Sequence, residues 1–314
     1  MRLAILADIH GNLPALEAVL ADIEQLEVDG TIVAGDFCDR PQPLEAVHAV
    51  RALGACVIRG NRENYVLAYT RQQAPEPWRT SQQWIGIRWL CELLDDEGLD
   101  YLESLPEECV YAGEGTDPIR VVHASPGSVS ELLLPSHDPV AMELFRQAGL
   151  MELRYDTQAD QGEVFSRFDE PVLVCAHAHI PWKRELDGRL IVNPGSVGIP
   201  INGDTRAQYA LLTWEGRRWK AELRAVDYGL GPIRAAYQKS GILIIEGAFA
   251  LAQLRGIETG QNVPGRLVLH CRRHATEAGI PESEAIPDAM WDEAVATFDW
   301  EAAARGVRAR SSQE

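Results

Sequence analysis

The stretch MRLAILADIHGN, residues 1–12, decides how the rest of the chain is read. Arg2 to Ala7 is a short apolar run that stops abruptly at Asp8-Ile9-His10-Gly11-Asn12. A run of that length, ended by polar and turn-forming residues, reads as a buried strand. It is too short for the apolar core of a leader peptide. The same pattern then recurs. Leu13 to Leu26 places Leu13, Leu16, Val19, Leu20 and Ile23 at helical spacing. Thr31 to Ala34 is a second strand ending in Gly35-Asp36, Pro43 to Leu53 is helical, and Ala55 to Arg59 is a third strand ending in Gly60-Asn61. Strands alternating with helices in this order predict parallel pairing through crossover helices, and therefore an α/β sheet.

Further along, Thr80 to Leu105 carries a helical pattern with Trp84, Ile87, Leu90, Leu93 and Leu94 on one side. Ile119 to Val122 is a strand leading into His123, and Pro139 to Ala148 is helical. Pro171 to Cys175 is a strand that enters Ala176-His177-Ala178-His179. Strand-like segments follow at Trp182 to Leu186, Arg189 to Val192, Tyr209 to Thr213 and Trp219 to Ala225, the first two joined by an Asp187-Gly188 hairpin turn. Gly229 to Pro232 punctuates the chain, and beyond it helical patterns dominate. The expected division is a catalytic domain over 1–228 and a helical extension over 229–314. The final ARSSQE is expected to be disordered. The extension's apolar spacing fits packing on the core, or a contact between two copies, better than a catalytic lid.

Hydrophobic residues at 46% and charged residues at 24% are ordinary for a globular chain. No apolar run reaches the roughly 18 residues that a bilayer span needs. The six cysteines are scattered, with no paired spacing, as expected for reduced thiols in a cytoplasmic protein. A formal charge of −18 argues against generic nucleic-acid binding, and an anionic ligand would have to be held by local cations.

The chemistry lies at the strand ends. Asp8 with His10, Asp36, Asn61, His123, and His177 with His179 each fall just beyond a predicted strand, where α/β sheets form their ligand sites. Any one of these has an ordinary structural explanation, since Gly-Asp and Gly-Asn make turns and an H-x-H pair in a strand merely shares a face. Five such strand ends in one chain point instead to a shared site. Carboxylate, imidazole and amide donors suit a divalent transition metal. Two ions about 3.5–4 Å apart need a shared ligand, and Asp36 is the natural candidate.

In their order these residues resemble the signature of the calcineurin-like metallophosphoesterase superfamily. The matching pieces are Asp8-Ile9-His10, Gly35-Asp36-Phe37-Cys38-Asp39-Arg40, Gly60-Asn61-Arg62-Glu63, His123 and Ala176-His177-Ala178-His179, with Asn193 to Gly198 similar to a bacterial branch of small phosphodiesterases and dinucleotide-polyphosphatase-like proteins. The resemblance covers about residues 1–226. It implies a four-layer α/β/β/α sandwich with two mixed sheets. It also implies one metal on Asp8, His10, Asp36 and His179, and another on Asp36, Asn61, His123 and His177. Mn²⁺ is the expected ion, with Fe, Zn, Ni or Co also suited to the donors. The implied reaction is in-line attack on phosphorus by a hydroxide bridging the metals, on a small phosphorylated and nucleotide-type substrate. Alternatives are a phosphomonoesterase or protein phosphatase, and a non-catalytic scaffold like the retromer subunit that shares the fold.

One position departs from the pattern. The family's second histidine, in G-N-H-E, is Arg62 here. Arginine cannot act as a general acid near neutral pH, but it can hold a fixed charge against a phosphoryl oxygen or pair with Asp39. This predicts a preference for diesters, cyclic nucleotides or anhydrides over alkyl monoesters. Arg40 and Asn12 are further candidates for contact with phosphate, the first alternatively an ion-pair partner and the second a turn former. Trp78, Trp84, Trp89 and Trp182 fit core packing better than the walls of a nucleotide pocket.

Overall fold

The computed structural model describes residues 1–152 and 158–305. Its strands are β1 (Arg2–Leu6), β2 (Gly30–Val33), β3 (Cys56–Val57), β4 (Glu108–Tyr111), β5 (Ile119–Val122), β6 (Leu132–Leu134), β7 (Gln158–Asp160), β8 (Val172–Val174), β9 (Trp182–Leu186), β10 (Arg189–Asn193), β11 (Ala207–Glu215) and β12 (Arg218–Val226). One five-stranded sheet runs β12-β11-β1-β2-β3 and the other β4-β5-β8-β10-β9, while β6 and β7 form a separate parallel pair. Both large sheets are mixed. The pairs β1–β2, β2–β3, β5–β8 and β8–β10 are parallel, and the outer pairs are antiparallel.

Strand periodicity builds the layers. Leu3, Ile5 and Ala7 belong to one apolar cluster together with Val172, Val174, Leu190 and Val192 of the other sheet. The alternate residues Ala4, Leu6, Leu173, Cys175 and Ile191 belong to a second cluster, which also contains Leu16, Val19, Val47 and Phe145 from helices. Since successive strand residues point to opposite faces, the first cluster lies between the sheets and the second covers their outer faces. The result is the four-layer α/β/β/α sandwich.

Two departures from the sequence pattern have clear causes. The stretch from Thr80 to Leu105 is not continuous helix. It divides into helices Ile85–Leu93 and Asp96–Ser104, and the Asp95 side chain accepts from the Gly98 N–H to start the second. Leu93, on the apolar side in the sequence pattern, ends the first helix and is 43% exposed. Strand β4 went unpredicted because its burial alternates only weakly at a sheet edge, and the β6–β7 pair because its strands are three residues each. The terminal ARSSQE lies outside the described residues.

After β12 the chain is helical among the described residues, with long helices at Gly231–Ser240, Ala248–Thr259, Val263–Glu277 and Asp288–Thr297. Ile233, Tyr237, Ile242, Ala250, Leu254 and Ile257 join the same cluster that covers the sheets. Ala252, Val263, Leu267, Cys271 and Trp291 form a small core of their own. None of the described helices is long and apolar enough to cross a membrane.

The loops after β1 and β2 are zipped together: the N–H groups of Asp8, His10 and Gly11 donate to the carbonyls of Gly35, Asp36 and Phe37 at 3.1, 2.9 and 3.0 Å. Gly11 has φ +61°, and a Cβ there would overlap the Asp39 carbonyl oxygen. Gly11→Ala should therefore lower stability by about 2 kcal/mol or more, combining left-handed strain with overlap. Urea unfolding of the variant beside the parent checks this.

Candidate metal centre

Five of the seven residues singled out at strand ends sit in left-handed backbone: Asp8 (φ 52°), His10 (45°), Asp36 (54°), His177 (64°) and His179 (53°). Non-glycine residues avoid this region at a cost of about 1–2 kcal/mol each, and such strain gathers where side chains must be aimed against the chain's preference. Ala176 keeps an ordinary φ; the turn is made one residue later, at His177.

The site forms where the two sheets' strand ends meet. Asp8 and His10 follow β1, Asp36 follows β2, and Asn61 opens the helix after β3, all from the first sheet. His123 follows β5 and His177 and His179 follow β8, from the second. The sheets are tied at this edge. The Val197 and Gly198 N–H groups donate to the Ala7 and Asp8 carbonyls, both at 3.0 Å, and the Ser196 hydroxyl donates to the Asp8 carbonyl at 2.8 Å. The Asn193 amide donates to the Ala176 carbonyl at 2.8 Å.

Two groups of donor atoms result, Asp8–His10–His179 and Asp36–His123–His177, each within 4.8 Å of one another. Asp36 lies between them: its Oδ2 is 3.7 Å from His10 Nε2 and 3.5 Å from His123 Nε2. Asn61 Oδ1 is 3.1 Å from His123 Nε2. Every side chain that the sequence set at strand ends is thus brought to one place. A further grouping of His48, Asp95 and Glu97 lies exposed on the surface.

The imidazoles are aimed by their other nitrogens. His123 Nδ1 is 2.8 Å from the Ala34 carbonyl, His179 Nδ1 is 2.7 Å from the Ile199 carbonyl, and His10 Nδ1 is 3.1 Å from Asp39 Oδ2. A ring nitrogen facing an oxygen acceptor carries the proton, so each Nε2 presents a lone pair to the centre. Yet His10 Nε2 and His179 Nε2 are only 3.1 Å apart. Asp8 Oδ1, 3.5 Å from His179 Nε2, is buried without a hydrogen-bond partner. Facing lone pairs and an orphaned carboxylate oxygen need a cation among them, so the residues fit divalent metal.

The same carboxylates also draw protons onto the imidazoles, which a bound cation would displace from Nε2. Burial alone would raise the Asp36 carboxyl, but the His123 and His10 imidazoles and the Arg62 backbone N–H hold it well below the usual range. For His123, burial would lower the pKa, but the Asp36 and Asp8 carboxylates push it up to about 10 in the metal-free protein. Asp39 is held low against burial by Arg40, Arg62 and His10.

The remaining candidates are placed as follows. Arg62 pairs with Asp39, Nε to Oδ2 at 3.0 Å, and its side chain is 14% exposed at the cleft. Asn12 caps the helix Leu13–Glu24: its Oδ1 accepts from the Ala15 N–H, and its amide donates to the Gly198 carbonyl and the Tyr228 hydroxyl. Arg40 is buried, hydrogen-bonded to Gln253 and ion-paired with Asp39 and Glu246. Both are thus engaged within the protein. A cleft of about 210 Å³ opens above His10, His177 and His179, walled by Asp39, Arg40, Arg62, Leu132, Leu150, Ile199, Ile201, Phe249, Gln253, Asn262 and Pro264, so Arg40 borders it even while ion-paired. The extension therefore supplies part of the wall, which apolar spacing alone did not reveal. Among the described residues no tryptophan lines this cleft: Trp89 and Trp182 are core, and Trp78 stacks on Trp84 at 4.2 Å.

Sequence reasoning assigned no role to Glu63. Its buried carboxylate accepts from the N–H groups of Asp36, Phe37, Cys38 and Gly60 at 2.9, 2.9, 2.8 and 2.7 Å. It thereby shapes the loop that carries Asp36. The signal was present in the Gly60-x-x-Glu63 spacing, which is that of a capping box. Glu63→Ala would leave four N–H groups without their acceptor and should cost about 3 kcal/mol or more, with Glu63→Gln losing less. Chemical denaturation of the three proteins measures the order.

Comparison with known proteins accords with this arrangement. The model of the calcineurin-like phosphoesterase superfamily domain matches residues 1–217. A metallophosphoesterase of known crystal structure from Sphaerobacter thermophilus is 27% identical, covers 82% of this chain and 98% of its own, and superposes with a TM-score of 0.60. An uncharacterised protein of Methanocaldococcus jannaschii is 26% identical over 255 residues, 76% of this chain and 90% of that protein. A hypothetical protein from Pyrococcus horikoshii, 23% identical over 76% of this chain and 92% of its own, shares the fold with a TM-score of 0.55. The strand ends, the donor set they bring together and the family match agree: this chain belongs to the calcineurin-like phosphoesterase superfamily.

Proposed function

We propose that the chain is a cytoplasmic two-metal phosphodiesterase acting on small, nucleotide-type phosphodiesters, with Mn²⁺ as its activating ion. The observation that carries the two-metal reading is Asp36 Oδ2, set within 3.7 Å of an imidazole nitrogen from each donor group. Asp8, His10 and His179 would hold one ion and Asn61, His123 and His177 the other, with Asp36 shared. When bound, two such ions supply the Lewis-acid charge and the activated nucleophile that phosphoester hydrolysis needs at neutral pH.

The protein's own groups define the rest. Asp8 and Asp36 are buried carboxylates that need positive charge beside them, so they favour the metal-loaded state. Asp39 orients both His10 and Arg62. Arg62 keeps a guanidinium at the cleft, where it can bind a phosphoryl oxygen. It stays charged through any turnover, so it cannot protonate a departing alkoxide. That supports leaving groups stable as anions, and hence anhydrides and diesters with such a leaving group over alkyl monoesters. A cleft of about 210 Å³ supports a small phosphorylated substrate.

Two measurements test the reading. Asp36→Asn should lower turnover of an aryl phosphodiester by at least ~10²-fold and reduce bound metal by elemental analysis; full activity in a metal-replete variant would refute the shared-carboxylate site. Arg62→His should lower the ratio of kcat/KM for diester over alkyl monoester by about tenfold, the effect of one added general acid being at least that large. An unchanged ratio removes Arg62 from specificity.

A further inference from the structure

The helices after residue 228 reach the metal centre through a chain of buried charges. Glu246 Oε2 is 3.0 Å from Arg40 Nε, and both side chains are only 2% exposed. Arg40 Nη1 donates to Gln253 Oε1 at 2.9 Å and lies 3.3 Å from Asp39 Oδ1. The Arg40 guanidinium also rests over the Phe249 ring at 5.5 Å. Residues 246, 249 and 253, spaced along one stretch of the extension, therefore grip a side chain that directly follows Asp39 in sequence.

Asp39 divides its two oxygens. Oδ1 accepts from the Arg40 backbone N–H at 2.8 Å and from Arg62 Nη2 at 3.1 Å. Oδ2 is left facing His10 Nδ1 at 3.1 Å and Arg62 Nε at 3.0 Å. The division holds only while Arg40 is pulled the other way. A guanidinium next to a carboxylate prefers a two-pronged grip on both oxygens, and Arg40 is kept from this by Glu246 and Gln253.

We propose that Glu246 is a positioning residue for His10, acting through Arg40 and Asp39, so that the C-terminal helices set the affinity of one of the two metal sites. The inference rests on the metal reading above and deepens it. With Glu246 neutralised, Arg40 closes on both oxygens of Asp39 and competes with His10 for Oδ2. The His10 ring then loses the partner that fixes its tautomer and direction. Loss of such a partner lowers metal affinity about 10- to 100-fold. The ion on Asp8, His10 and His179 is affected, and the one on Asn61, His123 and His177 is not.

The test is calorimetric titration of Mn²⁺ into the full-length, chelator-stripped protein. The wild type should show two binding events, and Glu246→Gln should weaken one of them about tenfold or more and leave the other in place. The double variant Glu246→Gln/Arg40→Met, which removes the competing guanidinium, should recover most of the lost affinity. A merely loosened extension would not be rescued in this way. As a control, Leu254→Ala, which thins the packing of the same helix, should lower the melting temperature and leave both affinities alone. Wild-type affinity at both sites in Glu246→Gln, equal weakening of both, or a double variant no better than the single one overturns the proposal. Should Glu246→Gln fail to fold, Glu246→Asp draws the carboxylate back from Arg40 Nε without removing the buried charge, and unchanged metal binding in that variant overturns it equally. A wild type that binds no Mn²⁺ overturns instead the metal reading on which the inference rests.

Discussion

Facing imidazole nitrogens and carboxylate oxygens, buried 3.1 to 3.7 Å apart, are stable together only with positive charge, a cation or protons, placed among them. The rest of the molecule is arranged to hold that unfavourable cluster together. Left-handed backbone at Asp8, His10, Asp36, His177 and His179 bends each strand end so that its side chain turns inward. Hydrogen bonds between the β1 and β2 loops, and from the Asn193–Gly198 segment to β1, oppose the strain. A relaxed chain would point these side chains in different directions.

The sheets make the convergence possible. Each contributes only part of the donor set, and neither could gather all seven residues alone. Packing the sheets through Leu3, Ile5, Val172, Val174, Leu190 and Val192 sets their spacing. Because those residues alternate with outward-facing ones, a one-residue slip in β1 would carry its core face away from the partner sheet and Asp8 with it. Core register and site geometry are therefore one constraint. Glu63 acts at shorter range, using a single carboxylate to fix four N–H groups beside Asp36.

Much of this was legible in the sequence, because local rules and tertiary structure agree there. The central strands are short apolar runs ending in Gly-Asp, Gly-Asn or H-x-H, and β5 spans Ile119–Val122 as its pattern indicated. The Asp187-Gly188 turn joins β9 to β10 in the expected place, both residues having positive φ. The donors Asp8, His10, Asp36, Asn61, His123, His177 and His179 were findable because each follows such a strand. What escaped depends on long-range packing. Nothing local marks Arg40 as buried under the chain's last third, or Gln253 and Asn262 as walls of the cleft. Asn12 carries turn-former and ligand chemistry equally well, and only the neighbouring Gly198 and Tyr228 decide between them. The division of the 80–105 stretch turned on one Asp95 cap within an otherwise unbroken helical pattern.

The helix Ile85–Leu93 passes so close to the Glu246–Arg40 pair that a Cβ on Gly86 would overlap the Glu246 carboxylate and stand 2.6 Å from the guanidinium. Three positions far apart in the chain, 40, 86 and 246, are therefore mutually conditional. A larger residue at 86 requires both the acid and the guanidinium to move, and losing the acid leaves the arginine to Asp39. Inheritance should treat the three as a set, exchanged together or kept together. A shortened descendant lacking these helices would leave its arginine to Asp39 alone.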